Sequence, residues 1–118
     1  MEIREREHLI ELFGYYKNLL TDKQRNYFEE YYLYDCSLAE IAENEGITRQ
    51  AVRDNLKKGE KKLFEYEDKL KIMKKNVDQE EQIANILSEI NTLNSNSTDT
   101  EVAIVLEDVK NKLSCLTA

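Results

Sequence analysis

Residues 37–58 read SLAEIAENEGITRQAVRDNLKK, a pattern of two short helices joined by a tight turn. Ser37 and Glu40 have the spacing of a capping box, in which each side chain satisfies a free backbone N–H at a helix start. Gly46 follows this helix and can adopt the positive φ that a tight turn requires. Thr48 is placed to cap the next helix. The stretch therefore predicts a helix-turn-helix.

A small apolar core is predicted beneath the turn. Ala42 is small enough for the second helix to cross close to the first, and Ile47 lies at the corner. Apolar side chains at helical spacing on the two helices would fill the core: Leu38, Ile41, Val52 and Leu56. The alternative is an ordinary helical hairpin with a basic surface. The helix-turn-helix is favoured because Ala42, Gly46 and the two capping residues, Ser37 and Thr48, all stand at the positions that this motif requires.

The exposed face of the second helix carries side chains that suit the major groove of duplex DNA. Arg49 and Arg53 are one turn apart, and an arginine can bind a phosphate or the O6/N7 edge of guanine. Gln50 can pair with the N6/N7 edge of adenine. We predict nucleic-acid contacts from seven residues: Thr48, Arg49, Gln50, Arg53, Lys57, Lys58 and Lys61.

Charge is unevenly distributed along the 118-residue chain. Residues 48–75 have ten Lys or Arg against five Asp or Glu, whereas residues 1–47 and 76–118 each have a net charge of −6. The whole chain has a net charge of −7, which excludes the strongly basic profile of a general nucleic-acid coat protein. The basic segment coincides with the predicted second helix and indicates the same surface.

Several classes of function lack their motifs. His8 is the single histidine, and there is no GxxxxGK[ST] or GxGxxG loop. Cys36 and Cys115 are far apart and have no CxxC spacing, so no disulfide framework or zinc site is predicted. We therefore expect no enzymatic activity and no cofactor or metal. No apolar run approaches a membrane span and no secretory signal is visible, so we expect a cytoplasmic protein without a membrane partner.

Helical periodicity continues on the N-terminal side of the helix-turn-helix. Residues 3–19 have one apolar face, and Thr21 with Gln24 forms another capping box that opens the next helix. That helix carries aromatic residues at helical spacing, which we interpret as packing around the core rather than a base-stacking platform: Tyr27, Phe28, Tyr31 and Tyr32.

The C-terminal third predicts two further helices and completes an all-α fold of six helices. Asn76 and Asp78 predict a break before the fifth helix, and the polar residues 94–97 predict a loop. Thr98 and Glu101 have the spacing of a last capping box. We predict two regions, 1–76 as a helix-turn-helix domain with an N-terminal helix and 77–118 as a helical hairpin of the same compact unit.

The predicted hairpin has more apolar surface than two small helices can bury against each other. An exposed apolar patch usually marks an interface, and helix-turn-helix proteins usually read paired half-sites as dimers. We predict a homodimer with an interface formed by Ile83, Ile86, Leu87, Ile90, Val105, Leu106 and Val109. The alternative is a monomer in which these faces pack on the first two helices.

Residues 20–70 resemble region 4 of sigma factors and, more closely, the YlxM-like family of small helix-turn-helix proteins of Gram-positive bacteria. The likeness rests on Leu20-Thr21 with Gln24-Arg25, on the phrase SLAEIA at residues 37–42, and on ITRQAV at residues 47–52. The resemblance implies a sigma region 4-like, winged-helix-like DNA-binding fold and a regulatory role. Genes of this family lie beside those of signal recognition particle components, which implies a role in that pathway.

Two functions remain open at this point. The first is a DNA-binding transcriptional regulator, and the second is an accessory protein that binds the protein or RNA of the signal recognition particle through the same helix. A structural adaptor is a third possibility. The net charge of −7 counts against the first function. The basic helix lacks an aromatic stacking face, which counts against RNA binding in the second.

Overall fold

Six α-helices make up most of the chain, of which a computed structural model describes residues 2–96 and 98–116. Those residues contain no β-strand, so the predicted all-α class is confirmed. A 3-10 turn, Lys17–Leu19, follows the first helix, and a π-helical segment, Glu29–Leu33, continues the second. The α-helices are α1 (Ile3–Tyr16), α2 (Asp22–Phe28), α3 (Leu38–Glu45), α4 (Arg49–Leu70), α5 (Ile72–Asn96) and α6 (Thr100–Cys115).

The chain divides into two compact units, Met1–Met73 and Lys74–Ala118. In the first unit, α4 packs against α1, α2 and α3. One buried cluster joins α1, α2 and the π-helical segment to α4. It consists of Leu9, Leu12, Phe13, Tyr16, Leu20, Phe28, Tyr32 and Leu63. A second cluster lies between α2, α3 and the start of α4 and consists of Tyr27, Ile41, Ala42, Val52 and Leu56. The second cluster is the predicted core of the helix-turn-helix, and Leu38 and Ile47 pack against it.

The starts of α2 and α3 have the predicted capping boxes. The backbone N–H of Gln24 donates to Thr21 Oγ1 at 3.2 Å, and the Gln24 side chain accepts from the Thr21 N–H at 3.1 Å. Ser37 and Glu40 form the same reciprocal pair at 3.1 and 3.3 Å. Each box satisfies donors that would otherwise be unpaired at a helix start, so these two local predictions are confirmed.

The break before α5 lies earlier than predicted. Lys71 has a φ of 53° and separates α4 from α5, whereas Asn76 and Asp78 lie inside α5. The Asn76 amide donates to the Glu80 carboxylate one turn later at 3.2 Å, so this polar side chain is accommodated within the helix.

Tertiary contacts fix the break at Lys71. The hydroxyl of Tyr16 accepts from the backbone N–H of Ile72 at 3.1 Å and donates to Glu67 Oε1 at 2.5 Å. The same Glu67 oxygen accepts from the N–H of Met73 at 3.0 Å. These bonds satisfy free donors at the start of α5 with side chains from α1 and α4, which no local sequence pattern reveals.

The end of α5 and the start of α6 also differ from the prediction. Residues 94–96 continue α5 instead of forming a loop. Within this last part of α5, the Ser95 hydroxyl donates to the Asn91 carbonyl at 2.9 Å, so its polar side chain is accommodated in the helix. Residue 97, the last of the predicted loop, lies outside the described residues. The cap of α6 is Asp99, whose Oδ1 accepts from the Glu101 N–H at 2.9 Å, instead of the predicted Thr98.

Candidate nucleic-acid interface

The turn between α3 and α4 sets the direction in which α4 leaves the core. Gly46 has a φ of 67°, a left-handed conformation that glycine adopts without a steric penalty. The N–H of Ile47 donates to the carbonyl of Ala42 at 3.0 Å and closes the turn. Thr48 Oγ1 then accepts from the Ala51 N–H at 3.1 Å, which starts α4. The two helices therefore have a fixed crossing.

The side chains of α4 divide between core and solvent as the helical period requires. Val52 and Leu56 are buried against α3. All seven side chains predicted to contact nucleic acid are exposed: Thr48, Arg49, Gln50, Arg53, Lys57, Lys58 and Lys61. We call these seven residues the basic strip.

Most cations of the basic strip have no acidic partner. Lys61 is 3.9 Å from Glu65 Oε1 in an exposed pair, which contributes little to stability. Among residues 2–96 and 98–116, no carboxylate forms an ion pair with Arg49, Arg53, Lys57 or Lys58. Four positive charges are thus available to an external anion.

Two acidic residues lie within this part of α4. Asp54 Oδ1 accepts from the Gln50 amide at 3.0 Å, which occupies one of the two N–H groups that Gln50 could offer to a base. Glu60 accepts a hydrogen bond from the hydroxyl of Tyr32, a buried residue of the π-helical segment. Asp54 and Glu60 are therefore hydrogen-bonded to uncharged partners rather than to cations of the basic strip.

A groove of about 200 Å³ adjoins the basic strip. Arg53, Lys57 and Glu60 line it from α4, and Tyr31 and Tyr32 line it from the π-helical segment. Glu60 was not among the residues predicted for this surface. It follows Lys57 by three residues and Arg53 by seven, a spacing that places all three on the same side of a helix. The link to Tyr32 spans 28 residues of sequence and has no local signal.

Arg6 of α1 holds the backbone and ring of Tyr32. Its guanidinium donates to the Tyr32 carbonyl at 2.8 Å and to Asp35 Oδ1 at 2.7 Å, and it lies 5.3 Å from the centre of the Tyr32 ring. The Tyr32 ring stacks on Phe28 with 4.3 Å between ring centres. These contacts fix the tyrosine beside α4, and sequence reasoning did not identify them.

A second partly buried acid, Glu30 of the π-helical segment, lies beside Glu45 at the C-terminal end of α3. Burial raises the pKa of the Glu30 carboxyl, and the neighbouring Glu45 carboxyl raises it further through a hydrogen bond and charge repulsion. Burial also raises the pKa of Tyr27, with smaller contributions from Glu45 and Glu30. The pair joins the π-helical segment to the end of α3.

The residues predicted to form a dimer interface are not equally exposed. Ile83 and Ile90 are buried within the chain, at 5% and 8% exposure, so they do not lie on a free surface. Leu87 and Leu106 are half-buried. The exposed members of the predicted interface are Ile86, Val105 and Val109.

The cysteines and acidic residues form no further site in the described part of the chain. Cys36 and Cys115 are free thiols, half-buried and exposed respectively. Within the described ranges, no three His, Cys, Asp or Glu residues are grouped so that they could hold a metal ion. No helix there combines the length and apolar character that a bilayer crossing requires.

The capped pair α3 and α4, the left-handed glycine between them and the exposed basic strip define a helix-turn-helix protein. The sequence model of the UPF0122 family, described as "Putative helix-turn-helix protein, YlxM / p13 like", matches residues 3–105. The chain belongs to this family, which confirms the resemblance inferred from residues 20–70.

Bacterial relatives agree with this assignment. UPF0122 protein YofM of Lactococcus lactis subsp. lactis is 46% identical over 92 residues, which cover 78% of this chain and 83% of that protein. UPF0122 proteins of Lactococcus lactis subsp. cremoris and Streptococcus gordonii are each 57% identical over 70 residues, or 59% of this chain. These 70-residue matches span 63% and 64% of the two relatives, which is less than two thirds of their length.

Proposed function

We propose that this protein is a DNA-binding regulatory protein of the cytoplasm, a binding protein rather than an enzyme. One observation carries the proposal: Arg49, Arg53, Lys57 and Lys58 are exposed and unpaired within the described chain, on a helix fixed by the Thr48 cap. Cations on a rigid helix can bind phosphates without first leaving an acidic partner.

Each residue of the strip has a role in this proposal. Arg49 and Arg53 each bind a phosphate and can also reach the O6/N7 edge of guanine, and Lys57 and Lys58 bind phosphates farther along the helix. Thr48 is at the N-terminus of α4, where the helix dipole favours a phosphate. Gln50 reads adenine once its amide leaves Asp54, so this contact is weaker than that of a free glutamine.

The proposal includes a homodimer. Two copies present two α4 helices, and dimeric helix-turn-helix proteins place these in half-sites about 34 Å apart. Exposed apolar side chains of α6 support self-association, with Ile104 and Val105 exposed at 65% and 61%.

A second candidate is an accessory role in the signal recognition particle pathway, through the particle's protein or RNA. Asp54 favours the particle's protein as the ligand, because its carboxylate lies among the expected base contacts and repels the phosphates of DNA and RNA alike. The net charge of −7 acts in the same direction by lowering affinity for non-specific DNA.

Parallel binding titrations distinguish the candidates. The full chain is titrated with duplex DNA, with the RNA of the particle and with its protein subunit, each at several salt concentrations. The proposal expects a steep decrease of affinity with salt for duplex DNA and weaker binding to the other two ligands. Tight binding to the particle's RNA or protein, with no binding to duplex DNA, would establish the second candidate instead.

A further inference from the structure

Glu60 is an acid in a position where it could neutralise the basic strip. It lines the same groove as two cations of α4. Lys57 precedes it by three residues and Arg53 precedes it by seven. Residues three and four apart on a helix are neighbours, and a carboxylate at this spacing ordinarily pairs with a lysine. The structure has no such pair: the carboxylate of Glu60 accepts from the Tyr32 hydroxyl instead.

Tyr32 is held firmly enough to direct this carboxylate. Its side chain is 3% exposed, its ring stacks on Phe28, and Arg6 binds both its carbonyl and the face of its ring. Burial, and then the hydrogen bond to Glu60, raise the pKa of the Tyr32 hydroxyl, so it stays protonated and acts as the donor. The hydroxyl therefore presents a fixed donor to α4.

We propose that Tyr32 is a positioning residue of the basic strip, whose hydroxyl holds the Glu60 carboxylate away from Lys57 and Arg53 so that both cations remain available to nucleic-acid phosphates. This inference rests on the proposed nucleic-acid binding. It adds to that function a residue, Tyr32, that lies outside α4. Without the hydroxyl, the Glu60 carboxylate pairs with the nearest cation, and the strip loses about one phosphate contact.

The test compares Tyr32→Phe with the wild-type protein in salt-titrated binding to duplex DNA. The slope of log K against log salt is about 0.9 per phosphate contact in B-DNA, so Tyr32→Phe is expected to have a slope about one unit shallower. Phenylalanine keeps the ring that packs on Phe28, and circular dichroism checks that the variant is folded. Adding Glu60→Gln to Tyr32→Phe removes the released charge and is expected to restore the wild-type slope.

Two further variants separate the positioning role from stability. Glu60→Gln alone leaves the slope within about half a unit of wild type, because the carboxylate is already held by Tyr32. Tyr16→Phe removes the equivalent hydroxyl bond to Glu67, which lies six residues beyond the basic strip, and is expected to lower stability without changing the slope.

The outcomes distinguish this inference from the proposed function. A wild-type protein that binds no nucleic acid contradicts both. Wild-type binding with an unchanged slope in Tyr32→Phe overturns the positioning role and leaves DNA binding intact. If Tyr32→Phe does not fold, Glu60→Gln decides alone: a slope steeper by about one unit shows that Glu60 neutralises a cation despite Tyr32 and overturns the inference.

Discussion

Gly46 is the residue on which the helix-turn-helix depends most directly. Its φ of 67° lies in the left-handed region, and an added Cβ would meet no atom within 4 Å. A substitution there is therefore disfavoured by the backbone conformation alone and not by a clash with neighbours. Gly14 also has no atom within 4 Å of an added Cβ, but it lies inside α1 with an ordinary helical φ.

This pair of glycines gives the first prediction. Gly46→Ala is expected to lower the free energy of unfolding by about 1 kcal/mol, because alanine is strained at positive φ. Gly14→Ala is expected to raise it by about 0.5 to 1 kcal/mol, because alanine favours the helix. Urea unfolding of both variants measures the difference. An unchanged stability in Gly46→Ala would contradict the left-handed turn.

At the residue scale, the sequence predicted the interactions that involve a single residue or residues close together in the chain. The capping pairs Thr21 with Gln24 and Ser37 with Glu40 connect residues three apart, and Gly46 needs only its own backbone conformation. The contacts of Arg6 and Glu60 with Tyr32 join residues 26 and 28 apart, and many partners are possible at such separations. They could not be predicted without the packing of the helices.

The junction of α4 and α5 shows the same limit at the scale of helices. Asn76 and Asp78 are residues that often end a helix, but α5 contains both. The actual break at Lys71 depends on the Tyr16 hydroxyl and the Glu67 carboxylate, which satisfy the first N–H groups of α5. Periodicity therefore predicted that the helices exist and which faces are apolar, while tertiary capping determined where one ended.

The second prediction concerns this junction. Tyr16→Phe is expected to lower the free energy of unfolding by about 1 to 3 kcal/mol, because it leaves the Ile72 N–H and the Glu67 carboxylate without the buried hydroxyl. Faster amide hydrogen exchange at Ile72 reports the local loss of the cap. Tyr34→Phe is the matched control, since Tyr34 is 70% exposed and its change is expected to stay within about 0.5 kcal/mol. Equal effects of the two variants would refute the capping role of Tyr16.

At the scale of the whole molecule, the charge pattern of the sequence proved a useful guide. The segment with an excess of cations, residues 48–75, includes all of α4, and its N-terminal part forms the exposed basic strip. The apolar pattern of the C-terminal helices was less specific. Ile83 and Ile90 share the helical period of Ile86, but periodicity alone does not show which face a neighbouring helix covers.

The third prediction tests self-association through α6. Full-length protein is expected to sediment as a dimer at micromolar concentration, with twice the 13.9 kDa mass of the chain. Val105→Glu combined with Val109→Glu is expected to sediment as a monomer, because two charges from each protomer would be buried in the interface. Leu33→Glu, at a similarly exposed apolar position of the first unit, serves as the control and stays dimeric. A monomeric wild-type protein would rule out the homodimer.

The central claim, that the basic strip binds duplex DNA, is tested most directly by the salt dependence of an Arg49→Ala and Arg53→Ala double variant. Each arginine accounts for one phosphate contact, so the slope of log K against log salt is expected to become about two units shallower than that of wild type. A Lys17→Ala and Lys23→Ala double variant removes two exposed cations outside the strip and is expected to keep the wild-type slope. Equal slopes in the wild-type protein and the arginine double variant would contradict the claim.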